Sequence, residues 1–171
     1  YMGIGPQGCS VIRWNGSTWS PVGEGVLTAV YALQPMPNGD IIVGGDFNMW
    51  GGGPPRVIAR FDGTAWSSLG AGISGGGFNG LVLDLHLRAN GDLIAVGDFT
   101  DAGGNPAVGV ASWNGTVWST FGDGLGGPFP GFYRQVYDID ELPSGDLVAV
   151  GNFTNSGAET VSSIARWNGT A

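Results

Sequence analysis

The sequence predicts an all-β repeat protein built from four-stranded antiparallel units. Three observations predict it. An aromatic residue followed by Asn-Gly or Asp-Gly recurs at Trp14, Phe61, Trp113 and Trp167, spaced 47, 52 and 54 residues apart. A second Gly turn alternates with the first, at Asn38-Gly39, Asn90-Gly91 and Ser144-Gly145, each followed by Asp. Glycine supplies 34 of the 171 residues without a three-residue period, as a hairpin-rich chain requires. Self-similarity at such a pitch is the signature of a repeat architecture with one supersecondary unit per repeat.

The first hairpin of each unit is read from its aromatic residue, taken as position zero. The entering strands are Val11-Ile12-Arg13, Ile58-Ala59-Arg60, Val110-Ala111-Ser112 and Ile164-Ala165-Arg166. A two-residue Asn-Gly or Asp-Gly loop with φ > 0 at both residues selects a type I′ hairpin. In that register position zero faces Ser17, Thr64, Thr116 or Thr170, and position −2 faces Trp19, Trp66 or Trp118. Both aromatics then share one face of the hairpin and the Arg column takes the other. Trp19, Trp66 and Trp118 are expected to be buried between neighbouring sheets.

The second hairpin enters through Val30-Tyr31-Ala32-Leu33, Val82-Leu83-Asp84-Leu85 and Val136-Tyr137-Asp138-Ile139. It leaves through Ile41-Ile42-Val43, Leu93-Ile94-Ala95-Val96 and Leu147-Val148-Ala149-Val150. These runs are short, β-branched and apolar on both faces, as strands between neighbouring sheets should be. Each unit closes on Gly45-Asp46-Phe47, Gly97-Asp98-Phe99 or Gly151-Asn152-Phe153. No helical period of useful length appears. Two hairpins per repeat make one β-propeller blade.

The units span about 11–56, 57–108 and 109–163, with a partial unit at 164–171, so three full blades plus partial units at both ends are expected within one segment, 1–171. Three blades are fewer than a closed propeller uses. The leading expectation is an excerpt of a longer propeller, ahead of closure by oligomerisation.

Composition narrows the function. Net charge is −8, and the basic residues are six Arg with no Lys. A surface without a basic patch argues against nucleic acid and against anionic membranes as partners. No apolar run is long enough to span a membrane as a helix. Cys9 is the single cysteine, read as a small apolar residue.

The run Ile164-Ala165-Arg166-Trp167-Asn168-Gly169-Thr170, its continuation as in Val117-Trp118-Ser119, the strand Val30-Tyr31-Ala32-Leu33 and the stretch from Pro37-Asn38-Gly39-Asp40 to Phe47 together resemble a known repeat. They look like the tandem Kelch-like propeller repeats of secreted bacterial surface proteins. They are also similar to the luminal propeller of fungal cortical-marker proteins. The resemblance covers residues 11–170. It implies an extracellular or cell-surface setting and a non-enzymatic role. The Gly72–Gly80 run and the loop Gly124–Gly131 depart from the compact repeat.

Residues that break the repeat carry the functional expectation. Trp50 with Met49, Phe78, and Phe129, Phe132, Tyr133 and Arg134 are large side chains in Gly-rich connections, where contact surfaces form. They are the candidate ligand-binding residues, for a glycan or a protein; the alternative for them is packing on a neighbouring blade or plugging the channel. No catalytic set is found. His86 is the single histidine, without a Ser, Cys or metal partner at motif spacing. Asp138, Asp140 and Glu141 form the tightest acid cluster, but strand alternation sends Asp138 and Asp140 to one face and Glu141 to the other. No cofactor is expected. Asp98 and Asp101 are weak Ca²⁺ candidates, with turn capping favoured over ligation. The sequons at Asn15, Asn114, Asn152 and Asn168 permit glycosylation in a eukaryotic secretory setting. The functional expectation is a secreted or cell-surface binding module. The alternative is a structural protein whose open blade edges make homo-oligomer or filament contacts.

Overall fold

The computed structural model describes residues 11–23, 29–47, 57–76, 80–127 and 135–169. Among them every regular element is a β-strand, and no helix is long and apolar enough to cross a membrane. Strands β1 (Ile12–Trp14) and β2 (Trp19–Pro21) form a two-stranded hairpin. β3 (Ala29–Pro35), β4 (Ile41–Asp46), β5 (Ile58–Phe61) and β6 (Trp66–Ser68) form the first four-stranded sheet, paired in chain order. After β7 (Ile73–Ser74) come β8 (Leu81–Leu87) and β9 (Leu93–Asp98). The short β10 (Asp101–Ala102) and β11 (Asn105–Pro106) join β7 in a small sheet of their own. β12 (Val110–Trp113) and β13 (Trp118–Thr120) complete the second four-stranded sheet with β8 and β9. β14 (Gln135–Glu141) and β15 (Leu147–Asn152) precede the small hairpin β16 (Asn155–Ser156) and β17 (Glu159–Thr160). β18 (Ile164–Trp167) then makes β14-β15-β18 a three-stranded sheet.

The architecture is therefore all-β and antiparallel. Instead of three four-stranded sheets, the described residues form two sheets of four strands, two of three and two two-stranded hairpins. Each sheet joins the second hairpin of one sequence unit to the first hairpin of the next, because the leaving strand offers its free edge to the following Ile-Ala-Arg run.

The second-hairpin turns are alike. Met36 N–H donates to Asp40 C=O at 2.8 Å and Gly39 N–H donates to Met36 C=O at 3.0 Å, with Gly39 at φ +91°. This is a three-residue loop with a left-handed glycine at its end, and Gly91 and Gly145 repeat it. A bulge recurs on the entering strand, at Tyr31, Leu83 and Tyr137.

The first-hairpin turns correct the expected register. Trp14 lies opposite Trp19, Phe61 opposite Trp66 and Trp113 opposite Trp118, so position zero faces position +5. The turn centres on Gly16-Ser17, not Asn15-Gly16, and only the glycine has positive φ (+101°). The cause is the side chain of position +1. Asn15 Oδ1 accepts the N–H groups of Ser17 and Thr18, each at 2.9 Å, as Asp62 and Asn114 do in their own turns. Those bonds hold Asn15 at negative φ and move the glycine to the first central position. The aromatic pairs consequently sit directly across the hairpin, with ring centroids 5.1–5.4 Å apart and the ring planes tilted by 44–48°.

The sheets pack side by side on continuous cores. Ala32, Ile42, Leu85, Leu93, Ala95 and Trp113 fill the first interval, and Ile94, Val96, Val136, Ile139, Leu147 and Ala149 the second. β9 shows the expected two-sided burial, since Leu93 and Ala95 face one core while Ile94 and Val96 face the other, but β3 and β14 correct it: Tyr31, Leu33 and Tyr137 are exposed, as is Val150 on β15. Phe47, Phe99 and Phe153, the last residues of the closing motif, are fully buried.

Candidate binding site

The loop candidates Met49, Trp50, Phe78, Phe129, Phe132, Tyr133 and Arg134 lie outside the described residues, as does Cys9. The residues that anchor their segments are described. Phe47 and Val57 flank the first, Gly76 and Gly80 the second, and Gly127 and Gln135 the third. Register places these anchors at one end of the sheets: Ala29 faces Asp46, Leu81 faces Asp98, and Gln135 faces Asn152. The Gly126 N–H donates to the carbonyl of Asn155, just past β15, which ties the third segment to the same end. The second-hairpin turns occupy the opposite end.

A polar strip runs between β8 and β14. The repeat-equivalent positions on and just past β3 are Ala32, Gln34 and Met36, so Asp84 and, just past β8, Arg88 put charge where the first unit is apolar. Asp84 Oδ2 accepts the N–H of Ile139 at 3.1 Å, across the sheet interval. Burial pushes the Asp84 carboxyl above its ordinary value, and a hydrogen bond with the Asp138 carboxyl pushes it further. His86 Nδ1 lies 3.5 Å from Asp140 Oδ1. Glu141 leaves the Asp138–Asp140 row, as alternation dictates, and is clamped by Arg88 at 2.8 Å and by the Ala89 N–H at 2.9 Å. The Ala89 bond and the Arg88 guanidinium hold the Glu141 carboxyl below the usual carboxylate range. Sequence reading found the Asp138 row and His86 but not the Asp84–Asp138 pair, whose members are brought together by sheet stacking. The signal available was that both occupy the column held by Ala32.

The Ca²⁺ candidates sit differently from a ligand pair. Asp98 is buried, and Asp101 Oδ1 accepts the Gly104 N–H at 3.1 Å inside its own turn. Among the described residues no group of three or more His, Cys, Asp or Glu is placed to hold a metal ion.

The inter-sheet joint is built by a rule. Trp66 Nε1–H donates to the Val22 carbonyl and Trp118 Nε1–H to the Leu69 carbonyl, each at 2.9 Å. Both acceptors lie eight residues past the aromatic of the preceding unit. The next residue, Gly23, Gly70 or Gly122, has φ between +51° and +65°, and a Cβ there would meet Phe61 and Trp66, Trp113 and Trp118, or Trp167 respectively. A Cβ on Gly70 would stand 2.8 Å from the Trp113 ring, so the glycine is needed for contact as well as for its backbone angle. Burial of the three position +5 tryptophans is graded, which corrects the expectation that all are covered. Trp118 is 5% exposed and Trp66 half-buried, whereas Trp19 is 63% exposed, because no described residue supplies it with a preceding carbonyl and glycine. At the far end, the same kind of socket beside β18 is a cavity of about 540 Å³ lined by Phe121, Leu125, Leu147, Ala149, Val161 and Trp167.

No family model, curated protein or solved structure matches the chain.

Proposed function

We propose that the chain is a non-enzymatic β-propeller module of the Kelch-like type, from a secreted or cell-surface protein, that binds a glycan or protein ligand through its variable connections. The observation that carries this reading is the common placement of the loop anchors. The three segments holding Trp50, Phe78 and Phe129–Arg134 leave the scaffold at the same end of the sheets. A uniform scaffold with its irregular, aromatic-bearing connections gathered at one end is how repeat folds present a recognition surface. The Kelch-like resemblance and the absence of Lys from an acidic chain favour an extracellular setting over a nucleic-acid partner.

The test is a glycan array and a surface-protein capture screen with the intact chain. Phe132→Ala combined with Tyr133→Ala removes the captured ligand while the far-ultraviolet circular dichroism stays that of the parent. A signal that survives the double change moves the site away from this loop. A polysaccharide-hydrolysis activity abolished by Asp140→Asn would overturn the non-enzymatic reading.

A further inference from the structure

Asn-Gly pairs stand in first-hairpin turns, at Asn15-Gly16 and Asn114-Gly115, and in second-hairpin turns, at Asn38-Gly39 and Asn90-Gly91, and the fold treats the two sets differently. In the first set the Asn side-chain oxygen gathers several donors. Asn114 Oδ1 accepts the Thr116 N–H at 3.0 Å, the Thr116 hydroxyl at 2.8 Å and the Val117 N–H at 2.9 Å. Asn15 Oδ1 accepts the Ser17 N–H at 2.9 Å, the Ser17 hydroxyl at 3.1 Å and the Thr18 N–H at 2.9 Å. Bonds to N–H groups two and three residues on fold the side chain forward over the intervening Gly peptide. Among the described residues the Gly16 and Gly115 N–H groups donate to no acceptor.

In the second set these features are reversed. Asn38 Oδ1 accepts only the Asp40 N–H, at 3.1 Å, and Asn90 Oδ1 only the Asp92 N–H, at 3.0 Å. The two Nδ2 groups donate to carboxylates, of Asp40 at 2.7 Å and Asp92 at 2.8 Å. The Gly39 N–H donates to the Met36 carbonyl at 3.0 Å, and the Gly91 N–H to the Arg88 carbonyl at 2.9 Å.

We propose that Asn15 and Asn114 are sites of spontaneous deamidation, in which the following glycine nitrogen displaces the side-chain amide and the folded turn stabilises the charge that forms. Hydroxide removes the Gly115 N–H proton. The nitrogen attacks Asn114 Cγ, and negative charge gathers on Oδ1, where the Thr116 and Val117 donors already point. Hydrogen bonds to an ion are about twice as strong as neutral ones, so these bonds favour the transition state over the ground state. The new N–Cγ bond closes a cyclic imide as the Cγ–Nδ2 bond breaks and ammonia leaves. Water then opens either C–N bond of the imide, which leaves aspartate or isoaspartate. The second-hairpin turns oppose the same step. A donated N–H resists ionisation, and the neighbouring carboxylate repels the growing charge.

Asp62, in the equivalent turn, shows that aspartate is tolerated there, because its Oδ1 accepts the Thr64 and Ala65 N–H groups at 2.9 Å each. Isoaspartate lengthens the main chain and breaks the Trp113–Trp118 pairing. Either product adds a negative charge at the end of the sheets opposite the loop anchors, the end at which Trp113 faces Leu93.

Peptide mass mapping of the intact chain held at mildly alkaline pH tests this, with the chain unfolded in urea as reference. In urea the four sites share one dipeptide and react at similar rates. In the folded chain Asn15 and Asn114 convert about tenfold faster than Asn38 and Asn90, the ratio that a few strengthened hydrogen bonds supply. Thr116→Val removes the hydroxyl donor and slows Asn114 severalfold, while Asn15 in the same chain keeps its rate and serves as the internal standard. Folded rates that are alike at the four sites, or faster at Asn38 and Asn90, overturn the proposal. So does a Thr116→Val chain in which Asn114 keeps or gains speed relative to Asn15.

Discussion

The Trp118 indole N–H donates to the Leu69 carbonyl at 2.9 Å, across 49 residues of sequence and from one sheet to its neighbour. Trp66 and Val22 repeat the bond one unit earlier. The pairing ties sheet to sheet by an identical contact, and it explains why the connection after each first hairpin carries a glycine that a larger residue could not replace.

Stability therefore depends on which tryptophan is cut. Trp118→Ala should lower the unfolding free energy by about 3–5 kcal/mol, the usual effect of emptying a buried aromatic site. Trp118→Phe should lower it less, by about 1–2 kcal/mol, because Leu69 C=O still accepts the Gly72 N–H at 3.1 Å. Trp19→Ala, at an exposed site, should stay within about 0.5 kcal/mol in the monomer. Urea titration of the three variants checks the order.

Asp62 has a carboxylate held down to about 2, chiefly by the Thr64 hydroxyl and then by the Ala65 and Thr64 N–H groups. A depressed folded value means the turn is stabilised above the unfolded carboxylate value, about 3.9, and loses that stabilisation as pH falls toward about 2. Asp62→Asn should fold as well as the parent at pH 7, since Asn15 and Asn114 make the same bonds, and should lose the acid dependence. Asp62→Ala should be less stable at pH 7. Melting temperatures from pH 2 to 7 distinguish the three.

Asp84 behaves in the opposite sense. Burial and the Asp138 carboxyl raise its value, so the folded state binds this proton more tightly than the unfolded chain does. Stability from this group is complete below the unfolded value and falls as pH rises through the raised one. Asp84→Asn keeps an acceptor for Ile139 N–H and a donor for Asp138 without needing the proton. The variant should gain on the parent as pH rises from 4 to 8, and a constant difference over that range would show that the pair is not proton-linked.

Ser163 is the one non-glycine residue with positive φ among the described residues, at +63°. Its repeat equivalent is Gly109 at φ +69°. Ser163→Gly should raise the unfolding free energy by about 0.5–1 kcal/mol, the relief of a left-handed backbone less the added chain entropy of glycine. Thermal unfolding of the single variant reads this directly.

The repeat pitch, the strands of each hairpin and the second-hairpin turns were legible in the residues, whereas the common end at which the loop anchors lie came from the sheet register. Each legible feature is set within a few residues of chain, by glycine geometry, β-branched runs or alternation, and such preferences act before any neighbour is present. The first-hairpin register was misread from the same stretch because Asn15, Asp62 and Asn114 cap the backbone with their own side chains, which displaces the turn by one residue.

Whatever depends on the opposing surface came from stacking. The Trp19, Trp66 and Trp118 side chains occupy one column of the repeat, yet their burial runs from exposed to enclosed according to what stands beside them. Asp84 meets the Asp138 carboxyl because two bulged strands run side by side, and the cavity beside β18 is enclosed by residues as far apart in sequence as Phe121 and Trp167. Local hydrogen-bond geometry is written along the chain. Burial is a property of pairs of surfaces, and no single repeat contains its partner.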